Sequence, residues 1–108
     1  MKRIYLSHPY GGKPENVARA LRWMAHLGRQ CPDDAIVASW ILGATLDLYV
    51  GREAAALDAC CAEIETCEAL VVCGVPSLRD CTPGMRRELG HALARGIAVE
   101  YHLTLEPV

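Results

Sequence analysis

Short apolar runs alternate along the chain with longer stretches whose apolar residues recur at helical spacing. Lys2 to Ser7 (KRIYLS) has the β-branched and aromatic content of a strand and runs into the turn-forming group His8-Pro9-Tyr10-Gly11-Gly12. Pro14 marks a helix start, after which Val17, Leu21, Met24 and Leu27 keep a helical stripe to about Gln30, with Arg19, Arg22 and Arg29 on the wet face. Cys31-Pro32-Asp33-Asp34 breaks that helix, and the continuous apolar run Ala35 to Trp40 (AIVASW) predicts a second strand covered on both faces. Ile41 to Val50 is apolar but carries Gly43 and Asp47, a pattern open to a loop, a short helix or an interface segment. Gly51 to Cys67 is rich in helix formers, with Ala55, Leu57, Cys61 and Ile64 toward the apolar side. Glu68 to Gly74 (EALVVCG) then returns to a buried strand. After the polar loop Val75 to Cys81 comes a last helix, and Ile97 to Leu103 (IAVEYHL) is the fourth strand.

That last helix, within Thr82 to Gly96 (TPGMRRELGHALARG), has the sharpest boundaries in the chain. Thr82 can cap with its hydroxyl, Pro83 suits the first helical position, and Gly96 closes the far end. Met85, Leu89, Ala92 and Leu93 make the predicted buried stripe, and Glu88 falls at its edge, half-hidden. A carboxylate in the N-terminal half of a helix can serve helix stability alone, or it can be held ionised as a nucleophile or base. Gly84 lowers helix propensity in the first turn and permits close approach to the backbone, a ligand being one candidate.

Strands alternating with helices predict an α/β fold, a small doubly wound, flavodoxin- or Rossmann-like parallel sheet of about four strands in the order 2-1-3-4, in one domain over residues 1–108. Ligands of such sheets bind beyond the carboxyl ends of the strands where the winding reverses, here between strands one and three. The loops Ser7 to Lys13 and Gly74 to Gly84 meet there, so Glu88 is expected to look into the same crevice, among glycines and hydroxyls suited to phosphate or sugar oxygens.

The 52% hydrophobic content argues against disorder. No apolar run approaches the roughly 20 residues that span a bilayer, and the run after Met1-Lys2-Arg3 is too short for a secretion signal. The six cysteines form no C-x-x-C pair and sit mostly in apolar segments, which predicts reduced thiols, a cytoplasmic protein, and neither metal nor cofactor. A net charge of -2 without a lysine-arginine block offers no footprint for nucleic acid.

Two segments, I-Y-L-S-H-P-Y-G-G at one end and T-P-G-M-R-R-E-L-G-H-A-L-A-R-G at the other, resemble the nucleoside 2-deoxyribosyltransferase superfamily, including its 2′-deoxynucleoside 5′-phosphate hydrolases and small uncharacterised relatives. The resemblance runs in order over nearly the whole chain. It implies that Glu88 is the nucleophile attacking C1′ of the sugar, and that Tyr5 holds it through its hydroxyl. Ser7, Gly11, Gly12 and the backbone near Gly84 would then face the sugar and any 5′-phosphate, with Pro9, Gly74, Pro83 and Met85 as further substrate-binding candidates, while His8 in the strand-one loop is either a donor to a phosphate or leaving group or a solvated polar residue. Read as residues alone, Tyr5 is a strand aromatic with its tip at the crevice, and the loop residues are turn formers.

The family also carries an aspartate eight residues before the acidic residue that opens strand three, where it protonates or positions the leaving base. With Glu68 as that opening residue, the matching position is Cys60. Asp58 is the carboxylate carried forward for that role, with Glu63 as the other neighbour, although each points in a different direction from Cys60 on a helix. Arg52 and Glu53 match an R-E pair of the uncharacterised relatives and equally suit a solvated helix start. Trp40 is a candidate for base stacking or for core. The expected partner is a small-molecule nucleoside or nucleotide, and the short chain with its edge cleft predicts a homo-oligomer in which a neighbour helps close the site. The competing reading is a non-catalytic nucleotide-binding module, a sensor or sequestering protein with the same cleft. An interaction protein that dimerises through Ile41 to Val50 is a third.

Overall fold

The computed structural model describes residues 1–108. Its elements are β1 (Arg3–Ser7), α1 (Pro14–Gln30), β2 (Ala35–Val37), α2 (Ser39–Thr45), α3 (Glu53–Ile64), β3 (Ala69–Cys73), α4 (Pro83–Ala94) and β4 (Ala98–His102), with one 3-10 turn at Leu78–Asp80. The four strands are all parallel and lie in the order β2-β1-β3-β4, an α/β fold with the predicted topology.

Side chains alternate across the sheet and so divide the interior into two cores. Ile4 and Leu6 of β1, with Ala69, Val71 and Cys73 of β3, face α1 and α2 and pack on Trp23, Leu27 and Ile41. Tyr5 of β1, with Leu70 and Val72 of β3, faces the opposite side and packs with Ile64, Met85 and Ala92 of α3 and α4. Trp23 is the largest fully buried side chain, and its indole N–H donates to the Leu105 carbonyl at 3.2 Å. The terminal segment is also tied to α1 by Arg19 and Arg22, which bind Glu106 and hold its carboxyl down at about 2.

The second strand departs from the expected span. Only Ala35–Val37 pair with β1, their side chains are half-buried, and the chain turns at Ala38 into α2, so Ser39 and Trp40 are helical. The reason is a cap supplied from a distance: Glu63 of α3 accepts the Ser39 backbone N–H at 3.0 Å and also its hydroxyl. The open segment Ile41 to Val50 is thus a short helix followed by turns, and it leaves Leu42, Leu46, Leu48 and Val50 exposed. The third helix, Glu53–Ile64, is shorter at both ends than the expected Gly51 to Cys67.

Helix α4 begins where expected, with the Thr82 hydroxyl accepting the Met85 N–H at 3.1 Å and Pro83 at the first helical position. It ends in a Schellman arrangement, Ile97 N–H to the Ala92 carbonyl and Gly96 N–H to that of Leu93, which Gly96 accommodates at φ +70°. Its buried line is Met85, Glu88 and Ala92; Leu93, expected in the stripe, is 58% exposed. No helix is long and apolar enough to cross a membrane.

Candidate active site

Beyond the carboxyl end of β1, the loop His8 to Gly12, helix α2 and its following turn, one side of α3 and the first turns of α4 enclose a cleft of about 660 Å³. Glu88 forms part of its wall.

Tyr5 and Ser7 lie two residues apart on β1 and therefore project from the same face of the sheet, the face against α4. The Tyr5 hydroxyl donates to Glu88 Oε2 at 2.5 Å and the Ser7 hydroxyl to Oε1 at 2.9 Å, so each carboxylate oxygen has its own donor. Glu88 is only 6% exposed. Burial pushes its carboxyl above the usual range, while the bonds from Tyr5, Ser7 and the Cys60 thiol pull it partly back. Burial, reinforced by the charge of Glu88, raises the Tyr5 phenol far above its ordinary value. Burial likewise raises the Cys60 thiol to about 12. Tyr5 and Cys60 therefore stay protonated, and Glu88 is the member of the cluster that ionises.

His8 is buried at the cleft wall, its Nδ1 2.8 Å from the Pro9 carbonyl, and burial lowers its pKa. A neutral ring donating from Nδ1 leaves Nε2 as a lone pair, and that atom has no hydrogen-bond partner. It rests on Gly74, which has φ +77° and where an added Cβ would lie 2.2 Å from Nε2.

Of the residues expected at the site, Glu88, His8, Gly11, Gly12, Pro83, Gly84 and Met85 line the cleft. Tyr5 and Ser7 act on it through Glu88, and Pro9 and Gly74 through the His8 ring. Gly84 has a packing reason of its own, since a Cβ there would come 3.3 Å from Leu57 of α3.

Asp58 requires a correction. It lies outside the cleft lining, its side chain 70% exposed and paired with Arg87, because it sits about half a helical turn from Cys60 on α3. Cys60 is the α3 residue brought against Tyr5 and Glu88. His91, three residues after Glu88, faces Glu65, with 3.3 Å between Nε2 and Oε2, and Arg52 stacks 5.6 Å from the centroid of the Tyr49 ring.

The structure adds Tyr10, Asp47 and Tyr49 to the cleft wall and brings Trp40, Glu53 and Glu63, already noted in the sequence, in beside them. Tyr10 and Trp40 line the cleft as an aromatic pair with centroids 6.0 Å apart, Trp40 being fixed by an indole hydrogen bond to the Leu6 carbonyl at 3.1 Å. Tyr49, packed on Gly43, and the carboxylates of Asp47, Glu53 and Glu63 complete the far side. Tyr10 was signalled by its place in the loop after β1; nothing local marks Asp47 or Tyr49. All six cysteines are free thiols, and no three His, Cys, Asp or Glu side chains converge as metal ligands.

The fold and the site thus define a parallel α/β protein with a buried, doubly hydrogen-bonded carboxylate at the carboxyl edge of its sheet. No protein-family model, curated protein or solved structure matches the chain.

Proposed function

We propose that this chain cleaves or transfers the N-glycosidic bond of a nucleoside or nucleotide, as a cytoplasmic member of the nucleoside 2-deoxyribosyltransferase superfamily. The observation that supports this is the Glu88 carboxylate, held by Tyr5 and Ser7 and set in the wall of a cleft large enough for a nucleoside. One oxygen attacks C1′ as the base departs through an oxocarbenium-like transition state, giving a glycosyl ester on Glu88. Water or a second base then takes the sugar. Tyr5 and Ser7 fix the carboxylate so that little reorganisation is needed at attack, and Trp40 and Tyr10 offer aromatic faces to the base. A second copy of the chain would cover Leu42, Leu46, Leu48 and Val50 beside the cleft, and light scattering giving a monomer mass refutes that assembly.

Cys60 beside Glu88, with Asp58 turned outward, favours a second reading, a nucleotide-binding module without turnover. Incubation with ribo- and deoxyribonucleosides and their 5′-monophosphates, following free base by chromatography, separates the two. Release by wild type and not by Glu88→Ala supports the enzyme. A ligand that raises the melting temperature without any release supports the module, and release by Glu88→Ala at the wild-type rate removes Glu88 from the nucleophile role.

A further inference from the structure

The charged side chains in the cleft wall are all carboxylates, Asp47, Glu53, Glu63 and Glu88. The arginines of α4 that flank Glu88 in sequence are engaged elsewhere: Arg86 donates to the Cys81 and Arg79 carbonyls, and Arg87 pairs with Asp58. Such a wall repels a phosphate and attracts a cation. The protic groups touching Glu88 are Tyr5, Ser7 and Cys60, all weak acids in their buried setting. A neutral nucleobase leaves as an anion unless a proton reaches it, and none of these groups gives one up readily.

Resting on the reading of Glu88 as nucleophile, we propose that the substrate carries its positive charge on the leaving group: the cleft takes an N-glycoside of a cationic heterocycle, an N-ribosyl pyridinium or an N-alkylated purine nucleoside, without a 5′-phosphate. The step then balances without an acid. Glu88 forms a bond to C1′ as the C1′–N bond breaks, the electron pair stays on the ring nitrogen, and the heterocycle departs neutral. Water hydrolyses the ester, its second proton passes to solvent, and the free sugar and the Glu88 carboxylate are restored. The same walls suit recognition. Tyr10 and Trp40 present aromatic faces to a flat cation, and the exposed carboxylates of Asp47 and Glu53 add charge complementarity.

The test compares kcat/KM for matched pairs, 7-methylguanosine against guanosine and nicotinamide riboside against its 5′-monophosphate, in ribo and 2′-deoxyribo forms. A placed general acid contributes about 10²–10⁴-fold, so without one the cationic member of the purine pair is expected to lead by ~100-fold or more. The 5′-phosphate is expected to reduce kcat/KM by about tenfold or more, as the repulsion of a carboxylate-lined cleft requires. Cationic glycosides are also intrinsically more reactive, so recognition is read from the double variant Asp47→Asn/Glu53→Gln. Its KM is expected to rise several-fold for the cationic substrate and to stay level for the neutral one. An unmoved KM overturns the proposed recognition. Equal or faster turnover of guanosine, lost in Glu88→Ala, overturns the cationic substrate and leaves the glycosidic chemistry standing. Absence of Glu88-dependent release from every substrate overturns both.

Discussion

Tyr5 and Glu88, 83 residues apart in sequence, are joined by a 2.5 Å hydrogen bond from phenol to carboxylate in the core between the sheet and α4. The bond makes the orientation of the carboxylate a property of the central strand. Tyr5→Phe keeps the ring packing and leaves Oε2 without its donor, which is expected to lower stability by about 1–3 kcal/mol, the cost of a buried polar group left unpaired. Base release is expected to fall, and its acid limb to move to higher pH, because a donor that lowers the Glu88 pKa is gone. A variant whose limb is unmoved would show that Tyr5 packs without positioning.

The pH dependence follows from the direction in which Glu88 is shifted. Burial raises its pKa above the ordinary 4.5, so activity that needs the ionised carboxylate falls away on an acid limb lying above that value. For stability the sign is the opposite of the usual carboxylate case. The folded-state pKa exceeds the unfolded one, so the contribution of protonated Glu88 is complete below the unfolded value and is lost as pH rises through the folded value. Glu88→Gln removes that loss. Its melting temperature at neutral pH is expected to equal or exceed that of wild type, the two converging at low pH, while base release disappears; thermal melts across pH check it.

His8 and Gly74 form a second interlocked pair. A Cβ at Gly74 falls 2.2 Å from His8 Nε2, and its φ of +77° strains any residue but glycine. Gly74→Ala is expected to cost about 1–3 kcal/mol from backbone strain, plus the displacement of the ring. Combined with His8→Ala, the steric part vanishes and the strain remains, so the double variant is expected to cost less than the sum of the two single ones. Additive costs would mean that the ring yields freely.

Much of this arrangement is legible in the sequence because it is written in local codes. Alternating strands and helices point to a parallel sheet, and the order 2-1-3-4 is that of a doubly wound sheet with right-handed crossovers and helices on both faces. Thr82, Pro83 and Gly96 each act within a turn of their own position, so the bounds of α4 can be read directly. What escapes is what depends on distant partners. Ala35 to Trp40 reads as one strand because the side chain that starts α2 at Ser39 comes from Glu63. Glu88 reads as half-hidden because the hydroxyls that allow its full burial belong to Tyr5 and Ser7 at the other end of the chain. Asp58 reads as a neighbour of the chemistry, and a hundred degrees per residue along α3 carries it instead to Arg87.

The Ser39–Glu63 contact gives the last prediction. Glu63 accepts the first free N–H of α2 and the Ser39 hydroxyl, so one side chain of α3 both caps α2, which carries Trp40, and ties it to α3 at the cleft wall. Glu63→Ala is expected to cost about 0.5–2 kcal/mol, as the loss of an N-terminal cap does. That cost is local, since α2 is only seven residues long and is anchored to the core chiefly through Ile41, with Leu42 exposed. Amide exchange is therefore expected to quicken in Ser39 to Thr45 while Tyr5 and Val71, in the central strands, stay protected. If Trp40 shapes the base side of the cleft and Glu88 is the nucleophile, as proposed, loosening α2 raises KM and leaves kcat little changed. Glu63→Gln retains an acceptor for the N–H and is expected to recover most of the protection. A uniform loss of protection across the sheet would instead make the contact a support of the whole fold.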